Sequence, residues 1–148
     1  MIEVIEDSKK IEWENCLIIA VDFDNTLTVE NKFPDIGNEN SKAFEVLKKW
    51  QKEGIKIVLH TMRGQESLSN ALDWCKERGF IFDAIGTHPY QDEILGYKVP
   101  KCFAHFYIDD RNIGVPLREE NKSLCVDWDK IDEMWGEFII NVHNHKKN

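Results

Sequence analysis

The sequence predicts an α/β fold: a three-layer α/β/α sandwich built on a mainly parallel sheet of five strands. Three observations carry that prediction. Short apolar runs alternate with stretches of helical periodicity, the pattern of strands joined by crossover helices. The first of them, CLIIAV, is continuous rather than alternating, as in a strand covered on both faces. Acids and a hydroxyl stand where the runs stop, with a lysine shortly before the fourth, and in a parallel sheet that is the edge that carries chemistry.

CLIIAV (16–21) reads as the first strand. A polar stretch with Phe33, Pro34 and Gly37 follows. SKAFEVLKKWQKEG then places Phe44, Leu47 and Trp50 on one helical stripe, with Gly54 as its stop. IKIVLH (55–60) is the second strand. ESLSNALDWCKERG puts Leu68, Ala71, Leu72 and Cys75 on one face, ending at Gly79. The third strand is expected within FIFDAIG (80–86), the fourth at FAHFYI (103–108) and the fifth near SLCV (123–126). A last amphipathic helix, 128–143, carries Ile131, Met134, Trp135, Phe138, Ile139 and Val142 and runs into the polar HNHKKN. Together these elements spell one Rossmann-like domain over residues 1–148.

The bulk composition narrows the function. With 148 residues, 42% apolar and 31% charged, the chain has room for one ordinary core. Its net charge of −8 argues against a general nucleic-acid binder, which needs cations to displace counterions from phosphates. Apolar runs fall short of the roughly 18 residues that span a bilayer. MIEVIEDSKK is too acidic and too short of apolar residues for a signal peptide, so a cytoplasmic protein without a membrane partner is expected. Four scattered cysteines, Cys16, Cys75, Cys102 and Cys125, read as reduced core thiols. The histidines show no metal spacing, and His143 and His145 read as solvated. Trp50, Trp74 and Trp135 read as core.

The strand ends hold the chemistry. Asp22 and Asp24 follow the first strand, Thr61, Met62 and Arg63 the second, and Asp109 and Asp110 the fourth, with Lys101 shortly before it. In a parallel sheet these groups converge on one crevice. Acids at that density raise one another's pKa unless a cation joins them, and oxygen-only ligands favour Mg²⁺. The strand period of two would let Asp22 and Asp24 lean toward the same ion.

VDFDNTLT (21–28), LHT (59–61), Lys101 and YIDD (107–110) resemble, in order, the four motifs of the haloacid dehalogenase (HAD) superfamily of phosphotransferases. The resemblance spans roughly residues 16 to 117. It implies a HAD-like phosphatase: a Mg²⁺-dependent phosphomonoester hydrolase working through an aspartyl-phosphate. Asp22 would be the nucleophile and Asp24 the general acid and base. Thr61 and Lys101 would hold and neutralise the phosphoryl group, with Met62 and Arg63 beside them as substrate contacts. Asp22, Asp109, Asp110 and the backbone carbonyl of Asp24 would hold the metal. Lys101 is preferred to Lys98, and Asp109 to Asp110 as the direct ligand.

About 36 residues separate Asp24 from Thr61 and about 39 separate Thr61 from Lys101, which leaves no room for the inserted cap of many HAD enzymes. A capless relative implies a substrate that covers the site itself, a phosphorylated small molecule or macromolecular end, or a second subunit as lid. The flap 29–37 and GTHPYQ (86–91) are expected to line the mouth. Two other readings stand beside this one. A nucleic-acid 3′-end or protein phosphatase, or a degenerate HAD fold that only binds, would use the same scaffold. A phospho-acceptor receiver module would need an Asp after the third strand, where AIGTHP has none.

Overall fold

The computed structural model describes residues 12–147, so the reading of MIEVIEDSKK lies outside the described residues. Four parallel strands form the main sheet: β1 (Ile18–Val21), β2 (Lys56–Leu59), β3 (Ala84–Ile85) and β4 (Phe106–Ile108), in the order β3-β2-β1-β4. β1 lies at the centre and is wholly buried. Its β-branched and aliphatic side chains alternate between two cores. Ile19 and Val21 point to the larger one, shared with α1 (Ala43–Lys52), α2 (Gln65–Glu77) and the C-terminal helix. Ile18 and Ala20 point to the smaller, with Trp13, Val58, Cys102 and Ala104. Each such aliphatic side chain contributes about 1.5–3 kcal/mol when fully removed from water.

α1 and α2 bury the stripes their sequences mark, Phe44, Leu47 and Trp50 in the first, Ala71 and Cys75 in the second. Gly54 (φ 95°) and Gly79 (φ 75°) take the left-handed backbone that ends each helix, a conformation a Cβ would strain. All four cysteines are buried thiols outside any disulfide among the described residues. No helix among the described residues is long and apolar enough to cross a membrane.

The expected five-stranded sheet is corrected. SLCV forms β6 (Ser123–Val126), and it pairs antiparallel with β5 (Leu117–Glu120) in a separate two-stranded sheet. Only Asn121 and Lys122 link the two, at φ 50° and 61°. That is a two-residue hairpin turn, and a link so short can only return the chain antiparallel; a parallel partner needs a crossover of about a dozen residues. β4 is therefore the edge of the main sheet.

GTHPYQ, expected to line the mouth, runs into a helix the sequence reading did not mark, α3 (Pro89–Leu95). His88 caps it through Nδ1, which accepts the Gln91 N–H, Pro89 opens it and Gly96 (φ 70°) ends it. His88 is itself buried and stacks on Trp13.

The C-terminal helix also departs from expectation. α4 (Trp128–Ile131) passes through a π-helical turn, Asp132–Gly136, into α5 (Glu137–Lys147). The wider turn adds a residue, so the buried stripe steps by five once: Ile131, Gly136, Ile139, His143. Met134, Trp135 and Phe138, which a regular helix would have turned inward, are exposed. Packing against α1 holds the turn. Trp50 Nε1 donates to the Gly136 carbonyl at 3.3 Å, and Lys49 pairs with Asp132. A Cβ on Gly136 would sit 2.4 Å from Asp132 Oδ1. His143 is not solvated: its Nδ1 accepts the Leu17 N–H at 3.1 Å inside the core.

Candidate functional site

The ends of β2, β1 and β4 are flush. The His60 N–H donates to the Val21 carbonyl and the Asp22 N–H to the Ile108 carbonyl, both at 2.9 Å. Asp22 thus starts where the ladder stops, and Asp109 starts beside it. Beyond Asp22 the chain turns at once. The Leu27 N–H returns to the Phe23 carbonyl at 2.8 Å, and Asn25 adopts φ 60°. Asn25 fixes this turn to the hairpin: its amide donates to Ser123 Oγ at 3.0 Å and to the Leu124 carbonyl at 2.9 Å.

Asp22, Asp109 and Asp110 each present a carboxylate oxygen within 4.8 Å of the others, and this trio could hold a metal ion. The acids are half-buried. Burial, and then the charge of Asp109, push Asp22 from 3.8 up to about 8. Burial also raises Asp110. The repulsion foreseen from the sequence is therefore present, and an all-oxygen donor set of this kind suits a hard dication such as Mg²⁺.

Asp24 does not lean toward that cluster. The strand ends at Val21, so the period of two that would align Asp22 with Asp24 is lost in the turn. The Asp24 carboxylate is held by Arg63 instead, Nε to Oδ2 at 2.9 Å and Nη2 to Oδ1 at 2.7 Å. Arg63, expected as a substrate contact, is buried, and its other N–H groups go to the carbonyls of Pro34, Asp35 and Ser67 at 3.0, 2.7 and 3.3 Å. All five guanidinium donors are spent within the protein. That correction follows from geometry no motif displays: a flap carbonyl pair and a turn carboxylate arriving at one side chain.

Thr61 lies half-buried at the end of β2, and its Oγ accepts the Arg63 N–H at 3.1 Å. The hydroxyl hydrogen is left to donate. Met62 points into solvent at 99% exposure, so its side chain holds nothing in this structure. Lys101 is exposed with its ammonium 5.5 Å from the Tyr107 ring centre. It lines the same cavity of about 810 Å³ as Asp22 and Asp109; Lys98 does not line it.

Two further cavity residues escaped the sequence reading, His60 and His105. His105 Nδ1 accepts the Ile18 N–H at 2.9 Å, and burial holds the ring below the usual histidine range. His60 sits at a strand end beside Thr61, and that position was the available signal. The far wall is apolar, built by Ile113, Val115, Pro116, Ile131, Trp135 and Ile139.

No family model matches the chain, and no curated protein matches it. A solved structure of a conserved protein from Bacteroides thetaiotaomicron is similar, with 38% sequence identity and a TM-score of 0.67. The similarity covers 83% of this chain and 92% of that one.

Proposed function

The chain belongs to the family of that conserved Bacteroides thetaiotaomicron protein, and from its strand-end acids we propose that it is a Mg²⁺-dependent phosphomonoester hydrolase. The observation that carries the reading is the trio Asp22, Asp109 and Asp110, gathered at the ends of neighbouring parallel strands, with Asp22 and Asp109 lining one cavity with Lys101. The HAD-like order of motifs supports the same chemistry.

Asp22 attacks phosphorus: a bond forms from its carboxylate oxygen, the bond from phosphorus to the ester oxygen breaks, and Asp24 gives that oxygen its proton. In the second half Asp24 takes a proton from water, the water oxygen bonds to phosphorus, and the bond to Asp22 breaks. Thr61 donates its hydroxyl hydrogen to a phosphoryl oxygen. The Lys101 ammonium offsets the repulsion between an anionic nucleophile and an anionic substrate. Asp22, Asp109 and Asp110, with the Asp24 carbonyl, are the groups that would hold Mg²⁺. Bound there, the ion supplies positive charge against the acids and the phosphoryl oxygens.

A substrate or second subunit large enough to cover the site is favoured by one observation. Phe33, Met62 and Ile113, on the three loops after β1, β2 and β4, expose 59%, 99% and 106% of their surface.

Phosphate release should be screened over metabolite, nucleotide and phosphopeptide classes with and without Mg²⁺. Magnesium-dependent release from at least one class is expected, and Asp22→Asn should bind that substrate without turning it over. No magnesium-dependent release from any class would overturn the proposal.

A further inference from the structure

Resting on that reading, we propose that Arg63 is a positioning residue: it fixes the Asp24 carboxylate toward the ester oxygen and ties that aim to the flap over residues 29–37. The geometry is that of a built clamp. A guanidinium forks onto both oxygens of Asp24 in parallel, the arrangement that fixes a carboxylate plane as well as its place. Its side chain is 1% exposed against 15% for Asp24, so water does not compete for it. Its remaining donors hold two consecutive flap carbonyls, Pro34 and Asp35, and the first turn of α2 at Ser67.

Two rings sandwich the same cation, Phe23 from the turn at 4.9 Å and Phe33 from the flap at 5.4 Å. Phe23 is buried, whereas Phe33 is 59% exposed beside the site. Turn, flap and α2 therefore meet at one side chain, and the carboxylate they share is the one the chemistry uses to move a proton. Each Asp24 oxygen keeps a second lone pair beyond the one given to Arg63, so the clamp leaves room for the transfer. Lysine could supply the charge but not the fork.

The clamp's purpose is read by the leaving group. A nitrophenolate departs with little need of a proton; an alkoxide needs one in full. In Arg63→Lys, kcat/KM, which reads only the steps through departure of the ester oxygen, should fall by about 10²-fold for an alkyl phosphate, the worth of a general acid, while that for p-nitrophenyl phosphate loses less than about fivefold. On an Asp24→Asn background Arg63→Lys should add no further selective loss. Phe33→Ala, at an exposed ring, is the variant to use if Arg63→Lys fails to fold. It should show the same selectivity at roughly twofold to fivefold, the worth of an exposed cation–π contact. Equal losses of kcat/KM on both esters in a folded variant overturn the positioning role and leave the phosphatase reading standing. The alkyl ester is one that the phosphate-release screen identifies, and a wild-type protein that releases phosphate from no class in that screen overturns both.

Discussion

Asp22 and Asp109 leave neighbouring parallel strands side by side, joined by the Asp22 N–H to Ile108 carbonyl bond, with their carboxylate oxygens within 4.8 Å. Like charges held so close by the backbone are a standing cost, because the strands cannot move apart without breaking the ladder.

Magnesium should relieve that cost. Ligand binding to the folded state alone stabilises it by about 2.7 kcal/mol at a hundred times the dissociation constant. Thermal melts with Mg²⁺ and with a chelator should differ, and Asp109→Asn should abolish the difference. Identical melts for the unsubstituted protein would count against the metal site.

Without metal, the contribution of Asp22 to stability should fall as pH rises from about 4 to about 8. Asp22 goes from 3.8 to about 8 on folding, so over this interval the native state keeps a proton that the unfolded chain has released. That contribution then decreases with pH, and the raised Asp110 adds to it with the same sign. His88 and His105, held below the usual histidine range by burial, act in the other direction within the window, and Asp132 does so outside it. Lys49 holds its carboxyl below the ordinary 3.8, so its contribution is present above that value and is lost as pH falls further. Urea unfolding in chelator at about pH 5 and about pH 8, for the unsubstituted protein and for Asp22→Asn, checks this window; the same pH dependence in both refutes it.

Lys101 and Lys98 should separate cleanly. Lys101 shares the cavity with Asp22, whereas Lys98 is exposed away from it. Lys101→Ala should lower kcat by about 10²–10³-fold, the usual worth of one donor to developing charge, and Lys98→Ala by less than twofold. Comparable losses in both would mean the motif lysine is misassigned.

Asn40 should matter to stability far more than a loop asparagine does. It is fully buried, its amide donates to the Thr26 carbonyl at 2.9 Å and the Val126 carbonyl at 2.7 Å, and its Oδ1 accepts from Arg118 at 2.6 Å. Asn40→Ala strands these partners and should cost about 1–3 kcal/mol in denaturant unfolding. A loss under a few tenths would show that water replaces the amide.

Much of this fold is written locally. IIAV, KIVL and FYI are strands because their apolar residues run without interruption, and Gly54 and Gly79 mark helix ends because only glycine takes that backbone freely. Asp22, Thr61, Asp109 and Asp110 could be named for the same reason: polar groups at the ends of buried strands stand out against their neighbours, whereas Lys101, upstream of β4, was named through the resemblance of motifs. Signals for α3 and the hairpin were also present, in His88-Pro89 with Gly96 and in Asn121-Lys122, but each is a short-range cue that a neighbouring pattern outweighs.

Tertiary structure alone decided the rest. The exposure of Trp135 depends on a π turn that α1 props from outside, through Trp50 and Lys49. The burial of His143 depends on an orphan N–H of Leu17, 126 positions away in the chain. The fate of Arg63 depends on carbonyls and a carboxylate delivered by three separate segments. Periodicity reports which faces a segment would bury, but a long polar side chain goes wherever unsatisfied partners meet, and only the assembled chain creates those meeting points.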